Sequence, residues 1–177
     1  MKAFTLLLGL LVAGGAAAEP YAVGDSVEPL TLKDQHGDEH AIDASARLVL
    51  FSRSKAGSDV LKSALHRWTE DSLAQRNIVY VADIHTIPAL IRRGFVIPAM
   101  RKASYPILLD KEGELTSRFP SEKDEATLVF LDNFQVERLL FTSSWEEARQ
   151  AMESVPEAKA DSPEALPDAE AEAAAPS

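Results

Sequence analysis

The arrangement of hydrophobic and polar positions changes along the chain, and each change predicts a different element. Leu30 and Leu32 alternate with polar neighbours, and a turn at residues 35–38 leads to a second short segment through Ile42. This pattern is typical of a β-hairpin. Residues 47–51 then form an almost continuous apolar run, which predicts a central strand buried on both faces.

A helix and a second buried strand follow this run. Residues 54–58 are polar and predict a turn, and Asp59 or Ser58 is the expected N-cap, because its side-chain oxygen accepts an otherwise unpaired amide hydrogen. Another apolar run at residues 78–82 predicts the strand, which completes a βαβ unit. The apolar positions at helical spacing between them are Val60, Leu61, Ala64, Leu65, Trp68 and Leu73.

The next segment combines a helix start with a break. Thr86 followed by Pro88 predicts the start, since proline is tolerated in a first helical turn, and Gly94 and Pro98 predict a kink or interruption. The apolar positions that continue this helix are Leu90, Ile91, Phe95 and Ile97. Beyond it we expect a short strand at 105–110, a turn at 111–114 and one or two helical turns at 115–119.

The last third of residues 19–155 predicts an antiparallel hairpin and a helix. Residues 126–132 and 136–141 are strands around a tight turn at 133–135. Ser144 begins the helix, and Glu147 stands at the spacing of a capping box. The apolar stripe of this helix is Trp145, Ala148, Met152 and Val155.

The two ends of the chain differ from this patterned middle. Residues 1–18 combine one lysine, an apolar run and a small-residue cleavage site, which predicts a secretory signal peptide and a periplasmic protein. Residues 156–177 are rich in alanine, proline and acidic residues without apolar periodicity, so we expect a disordered tail. Residues 19–155 form one domain, with no later segment apolar enough to insert into a membrane.

Charge and cysteine content exclude several classes of function. The chain has 28 acidic and 18 basic residues, and residues 19–155 alone have a net charge of −6. This balance argues against nucleic acid and anionic membranes as partners. The chain contains no cysteine, so it has no disulfide, thiolate nucleophile or thiolate metal site.

The order of these elements and several local strings resemble the thioredoxin-like superfamily. The strings are LTLKDQHG at residues 30–37, YPILLDKEGEL at 105–115 and TLVFLD at 127–132, which look like segments of peroxiredoxins and thiol reductases. The resemblance implies a three-layer α/β fold with a central mixed sheet, helices on both faces and an N-terminal β-hairpin. Shorter matches at Ala56-Gly57-Ser58, Ile87-Pro88 and Tyr105-Pro106 resemble the YtfJ-like small periplasmic proteins.

The resemblance gives special weight to the loop after the first buried strand, residues 51–59. Thioredoxins carry C-x-x-C there and peroxiredoxins a proline-threonine-cysteine turn, because a helix N-terminus lowers the thiol pKa. Ala56 and Asp59 align with the two cysteine positions, and Glu125-Ala126 aligns with the cis-proline of thioredoxins. We therefore expect neither thiol oxidoreductase nor peroxidase activity.

The same loop is the strongest candidate for a binding site. Arg53 and Lys55 stand beside a helix start, where two cations can hold an anion or a carboxylate. Ser54, Ser58 and Asp59 complete the candidate set. The alternative is a solvated turn with ordinary surface charges.

Histidine and cofactor chemistry have less support. His36 and His40 flank two acids on the first hairpin, but no third ligand cluster accompanies them, so no metal site is expected. Asp83 and His85 have the spacing of an orienting acid and a base, with Ser54 as a conceivable nucleophile, although no G-x-S-x-G motif is present. The phosphate fingerprint G-x-G-x-x-G is also absent after residue 18, so no flavin, dinucleotide or other cofactor is expected.

Three functional hypotheses remain. The leading one is an exported, redox-inactive thioredoxin-fold protein that acts as a periplasmic binding or accessory module for a protein or a small anionic ligand. The second is a cysteine-independent enzyme, or a cofactor- or metal-binding protein, on the same fold. The third is an envelope interaction protein that uses its acidic tail to recruit a partner.

Overall fold

A single mixed sheet organises residues 19–158, the part of the chain that this computed structural model describes. The predicted signal peptide and residues 159–177 of the predicted tail lie outside the described residues. The strands are β1 (Leu30–Lys33), β2 (Glu39–Ile42), β3 (Leu48–Ser52), β4 (Ile78–Asp83), β5 (Leu108–Asp110), β6 (Ala126–Asp132) and β7 (Gln135–Thr142).

The strand order is β2-β1-β5-β4-β3-β6-β7. The three central strands β5, β4 and β3 are parallel to one another, whereas every other neighbouring pair is antiparallel. Both predicted hairpins, β1–β2 and β6–β7, are confirmed. Parallel neighbouring strands require crossover connections. The connections from β3 to β4 and from β4 to β5 contain most of the helices.

The helical elements are α1 (Lys55–Ala64), α2 (Glu70–Ala74), α3 (Ala89–Ile91), a π-helical turn (Arg92–Val96), α4 (Ile97–Met100) and α5 (Trp145–Glu153). Ser144 caps α5 as predicted, because its hydroxyl accepts the amide hydrogen of Glu147. The π-helical turn interrupts the second crossover at the predicted break. There the Ile97 amide bonds to the Arg92 carbonyl, five residues back, and Pro98 has no amide hydrogen for a regular helical bond.

The predicted start of the first helix was wrong by four or five residues. Ser54, not Ser58 or Asp59, is the N-cap, and its hydroxyl accepts the amide hydrogen of Gly57 at 3.0 Å. The predicted polar turn is therefore the first turn of α1. The helix also ends earlier than its apolar spacing suggests, because Arg67 adopts a positive φ of 74° before α2 begins.

The two faces of the sheet are covered differently. Leu48 and Leu50 of β3 join a core with α1, α2 and α5, whereas Val49 and Phe51 join a core with no helical residue. Non-helical residues cover that second face, among them Tyr21, Val27, Ala46 and Phe119.

This arrangement corrects the expectation of helices on both faces, while the α/β class and the central mixed sheet stand. Right-handed connections explain it: β3–α1–β4 and the crossover from β4 to β5 step in the same direction across the sheet, so their helices lie on one face.

A buried glutamine joins the first hairpin to the central strands. Gln35 is 1% exposed, and its side-chain amide donates to the Tyr105 carbonyl at 2.8 Å and accepts from the Ile107 amide at 2.7 Å. The side chain thus satisfies backbone groups just before β5, where strand pairing with β1 is limited to Lys33 and Leu109.

Candidate functional site

Polar side chains gather where the parallel strands β3, β4 and β5 end. Ser52 pairs with Ala82 in the register of β3 and β4, so the residues that follow, Arg53 and Asp83, lie side by side. Asp83 in turn pairs with Asp110 at the end of β5. The carboxyl edge of parallel strands is where α/β folds commonly bind ligands.

Arg53 is held by three hydrogen bonds. Its Nε donates to Asp83 Oδ2 at 2.9 Å, Nη1 to Ser121 Oγ at 3.0 Å and Nη2 to the Thr116 carbonyl at 2.8 Å. The guanidinium also lies over the Phe51 ring, 5.2 Å from its centroid. Arg53 therefore ties β3 to the loop between β5 and β6.

Asp83 is the centre of this cluster. Its side chain is 1% exposed, and Oδ1 accepts the His85 backbone amide at 3.1 Å and lies 2.6 Å from His85 Nδ1. Burial by itself raises the pKa of Asp83, but the hydrogen bonds from His85 and Arg53 outweigh burial and hold the pKa below its usual value. The carboxylate is thus the stable form in the folded protein.

His85 places one ring nitrogen inside the cluster and presents its ring to solvent. Its side chain is 40% exposed, and among residues 19–158 no hydrogen bond is formed by Nε2. Gly113 lies directly against the ring: a Cβ at Gly113 would be 2.6 Å from His85 Cγ and Nδ1. A carboxylate at Nδ1 fixes the imidazole tautomer that leaves Nε2 as a proton acceptor, the arrangement of a general base.

The loop after β5 is shaped by a second buried carboxylate. Asp110 Oδ1 accepts the Gly113 amide at 2.8 Å, and Oδ2 accepts the amide and hydroxyl of Thr116 at 2.8 and 2.9 Å. These bonds place Gly113 against His85 and the Thr116 carbonyl against Arg53. Both carboxylates therefore support the position of the imidazole.

The first turn of α1 is satisfied within the protein. Lys55 pairs with Asp59 at 2.5 Å, and Ser58 Oγ lies 3.2 Å from the buried Tyr80 hydroxyl, which also lies 3.1 Å from Ser52 Oγ. Burial raises the pKa of Tyr80 despite these hydrogen bonds. The loop residues predicted as a binding site thus lie together, but each has an internal partner.

The cysteine-equivalent turn is packed against the segment that aligns with the cis-proline. Ala56 lies in the first turn of α1, and a Cβ at the neighbouring Gly57 would be 2.3 Å from the Glu125 carbonyl oxygen. Residues 19–158 contain no cis peptide bond. Backbone contact therefore fills the space beside this turn.

His36 and His40 of the first hairpin belong to a hydrogen-bonded turn. His40 Nε2 lies 3.2 Å from Asp34 Oδ2, while Asp34 Oδ1 accepts three backbone amides of the turn. Within residues 19–158 no group of three or more His, Asp or Glu side chains is arranged to hold a metal ion. This region is a structural turn with an exposed His36 beside it.

The structure adds residues that sequence reasoning missed. Thr116, Ser121 and Gly113 reach the site from a distant loop, and no local pattern marks them. The pairing of Arg53 with Asp83 was partly indicated by the sequence, since Arg53 directly follows β3 and Asp83 ends the adjacent parallel strand β4. Ser54, in contrast, caps α1, and no hydrogen bond among the described residues joins it to His85.

Comparisons with known proteins identify the fold. No family model matches the sequence, and no curated protein is detectably similar to it. A candidate protein disulfide isomerase from Bacteroides thetaiotaomicron is similar in structure, with a TM-score of 0.51, 11% identity and coverage of 75% of this chain and 86% of that one.

Two further solved structures agree. A peroxiredoxin-like protein from Aquifex aeolicus has a TM-score of 0.50, 8% identity and coverage of 79% and 91%. A candidate thiol:disulfide interchange protein, DsbE, from Chlorobium tepidum has a TM-score of 0.50 and 13% identity, and the match covers 75% of this chain and 93% of that one. The chain therefore has a thioredoxin-like fold, and it has no cysteine to supply that fold's thiol chemistry.

Proposed function

We propose that this protein is an exported, redox-inactive thioredoxin-fold module that acts by binding a protein or a small anionic ligand. The observation that carries the proposal is the turn at Ala56 and Gly57. The chain has no cysteine, and the Glu125 backbone occupies the space beside this turn. Export through residues 1–18 is part of the proposal, and in residues 19–158 no helix is long and apolar enough to span a bilayer.

Redox assays test whether the protein is redox-inactive, as proposed. The chain from Glu19 onward should reduce insulin and turn over peroxide at the background rate, because it has no thiolate. A double variant, Ala56→Cys with Asp59→Cys, is the matched control, since the two positions are one helical turn apart on α1. Thiol-dependent activity in the double variant alone supports the proposal, whereas activity above background in the unmodified protein refutes it.

A second candidate function is acid–base chemistry at His85. The 2.6 Å contact with the buried Asp83 and the exposed ring support it. Substrate hydrolysis or proton transfer that falls at least about a hundredfold in His85→Ala and substantially in Asp83→Asn supports this function. An activity that survives His85→Ala rules it out, and metal analysis with an absorbance spectrum checks for a bound cofactor.

The acidic tail offers a third route to a partner. The predicted tail, residues 156–177, has six acidic residues and one lysine, and five of these acids and the lysine lie in residues 159–177. Truncation after residue 158 should abolish a pull-down interaction if the tail recruits a basic partner. Binding retained by the truncated chain assigns the contact to the folded domain instead.

A further inference from the structure

We propose that the outward face of the second crossover docks on the surface of a lipid bilayer that contains anionic phospholipid. We call Leu90, Ile91, Arg93 and Phe95 the crossover face. Docking through this face does not depend on the presence or absence of redox activity.

The crossover face exposes three large apolar side chains within six residues. Leu90 is 83% exposed, Phe95 73% and Ile91 48%. They are half of the six large hydrophobic residues exposed in residues 19–158. A single exposed apolar residue needs no explanation, but three within six residues of one short helical segment are an indication of an interaction surface.

The packing beneath the segment fixes these side chains outward. Ile97 and Met100 pack against the core that includes α1, α2 and α5. Ile87, just before α3 begins, packs against the same core. Arg92 donates to the Ile84 and Lys111 carbonyls at 3.4 and 2.5 Å, which anchors the π-helical turn to the end of β4. Because these contacts fix the inward side of the segment, the side chains of Leu90 and Phe95 are held on its outward side.

Cations predominate around the crossover face, and one of them, Arg92, lies 3.9 Å from the carboxylate of Glu112. Residues 84–109 contain four basic residues and no acidic residue, in a chain whose net charge is −10. Arg93 and Lys102 form no ion pair among the described residues. Charges on a protein surface are screened beyond about 8 Å at physiological ionic strength, so a bilayer in contact with this face experiences the local cations more strongly than the distant acids.

A lipid surface fits this face better than a protein partner. The segment from Ala89 to Met100 has no buried residue, and neither the cavity beside Gln35 and Tyr105 nor the one beside Arg47 and Phe130 includes a residue of the crossover face. A projecting face of apolar and basic side chains can insert into an anionic interface without shape complementarity. A stable protein interface would instead need a larger complementary surface. The docking is peripheral, because no described helix spans a bilayer.

Vesicle co-sedimentation tests the proposal with the chain from Glu19 to Ser177, which retains both buried cores. The protein should bind phosphatidylcholine vesicles that contain phosphatidylglycerol, and added salt should weaken this binding. Leu90→Ser with Phe95→Ser should lower the partition coefficient about tenfold or more. Arg93→Glu should lower it about fivefold for each unit of charge changed.

Matched controls separate docking from general charge and hydrophobicity. Val23→Ser removes an apolar side chain that is 62% exposed elsewhere, and Lys123→Glu reverses a cation that stands between two carboxylates. Both controls should bind like the unmodified protein, and circular dichroism should show that every variant is folded. Absent binding, or binding that the Leu90 and Phe95 changes leave intact, overturns the proposal. Self-association lost in the same double variant also overturns it and assigns the face to a second copy.

Discussion

Two helical segments leave neighbouring parallel strands, and they use their surfaces in opposite ways. The first, α1, has a side-chain cap at Ser54 and buries Gly57, Leu61 and Ala64. The second, from Ala89 to Met100, has no side-chain cap and buries nothing completely. The first turn of α1, which aligns with the thiol site of thioredoxins, is thus packed against the rest of the protein. The adjacent crossover instead leaves large apolar side chains exposed.

Gly57→Ala should be the most damaging of these substitutions. A Cβ would collide with the Glu125 carbonyl at 2.3 Å, and both groups are backbone or backbone-attached, so relief requires movement of the helix. We expect a loss of about 3 kcal/mol in the free energy of unfolding, measured by urea denaturation. Gly94→Ala is the control: it meets nothing within 4 Å and should be neutral or stabilising by up to about 1 kcal/mol. Equal effects at both positions would contradict the close contact.

Asp83→Asn tests whether the cluster beside α1 is held by charge. The substitution should cost about 2 kcal/mol at pH 7, since charged hydrogen bonds to Arg53 and His85 are weakened. The folded-state pKa of Asp83 is depressed, so its contribution is present above the unfolded value of 3.8 and is lost as the pH falls through the folded value. The stability gap between the two proteins should therefore narrow below about pH 3.8. A gap independent of pH would show that the carboxylate charge is unimportant.

Gly113→Ala separates the imidazole contact from backbone strain. Gly113 has φ +79° and lies against His85, whereas Gly37 has φ +104° with nothing within 4 Å of an added Cβ. Both substitutions should cost about 1 to 2 kcal/mol from the positive φ alone. Only Gly113→Ala should shift the His85 ring resonances in an NMR spectrum, because only there would the added Cβ meet the ring. Identical His85 spectra in both variants would mean that Gly113 does not position the ring.

Ser54→Ala should weaken α1 by removing its N-cap. The lost bond to the Gly57 amide predicts a cost of about 1 kcal/mol in thermal or urea unfolding. Ser104→Ala is a suitable control, because only the Ser104 backbone carbonyl takes part in a described hydrogen bond, to the Glu70 amide. If Ser104→Ala lowered the free energy of unfolding as much as Ser54→Ala, the assignment of Ser54 as a stabilising N-cap would be contradicted.

Phe95→Ser should have the smallest effect on stability. The side chain is 73% exposed, so the free energy of unfolding should change by less than about 0.5 kcal/mol. Leu61→Ala in α1 should cost about 3 kcal/mol, because Leu61 is fully buried. A large loss in Phe95→Ser would show that the second crossover is packed after all, and the contrast between the two helices would disappear.

Most of the fold followed from local patterns, whereas the site depended on distant contacts. The strands were predictable because buried runs such as β3 and β4 are continuous. The Ser54 cap was missed because the first turn of α1 lacks a large apolar residue to mark it. The contact between Gly57 and Glu125 joins segments far apart in sequence, and no spacing rule reports it.

The crossover face was partly visible in the sequence. The absence of acidic residues from 84 to 109 can be read directly, but a net charge taken over the whole domain conceals it. The exposure of Leu90 and Phe95 could not be read, since their spacing is also typical of a buried stripe. Only the packing of Ile97 and the anchoring of Arg92 show which side faces inward.

The amide bridge of Gln35 has a consequence for the order of folding. Its hydrogen bonds to Tyr105 and Ile107 span 70 and 72 residues. During synthesis, the β1–β2 hairpin is therefore complete long before β5, the strand with which β1 pairs, has been translated. Such sequence-distant contacts raise the contact order and delay their own formation. The β1–β2 hairpin, which comes first among the described strands, can therefore join the sheet only after about half of residues 19–158 has been synthesised.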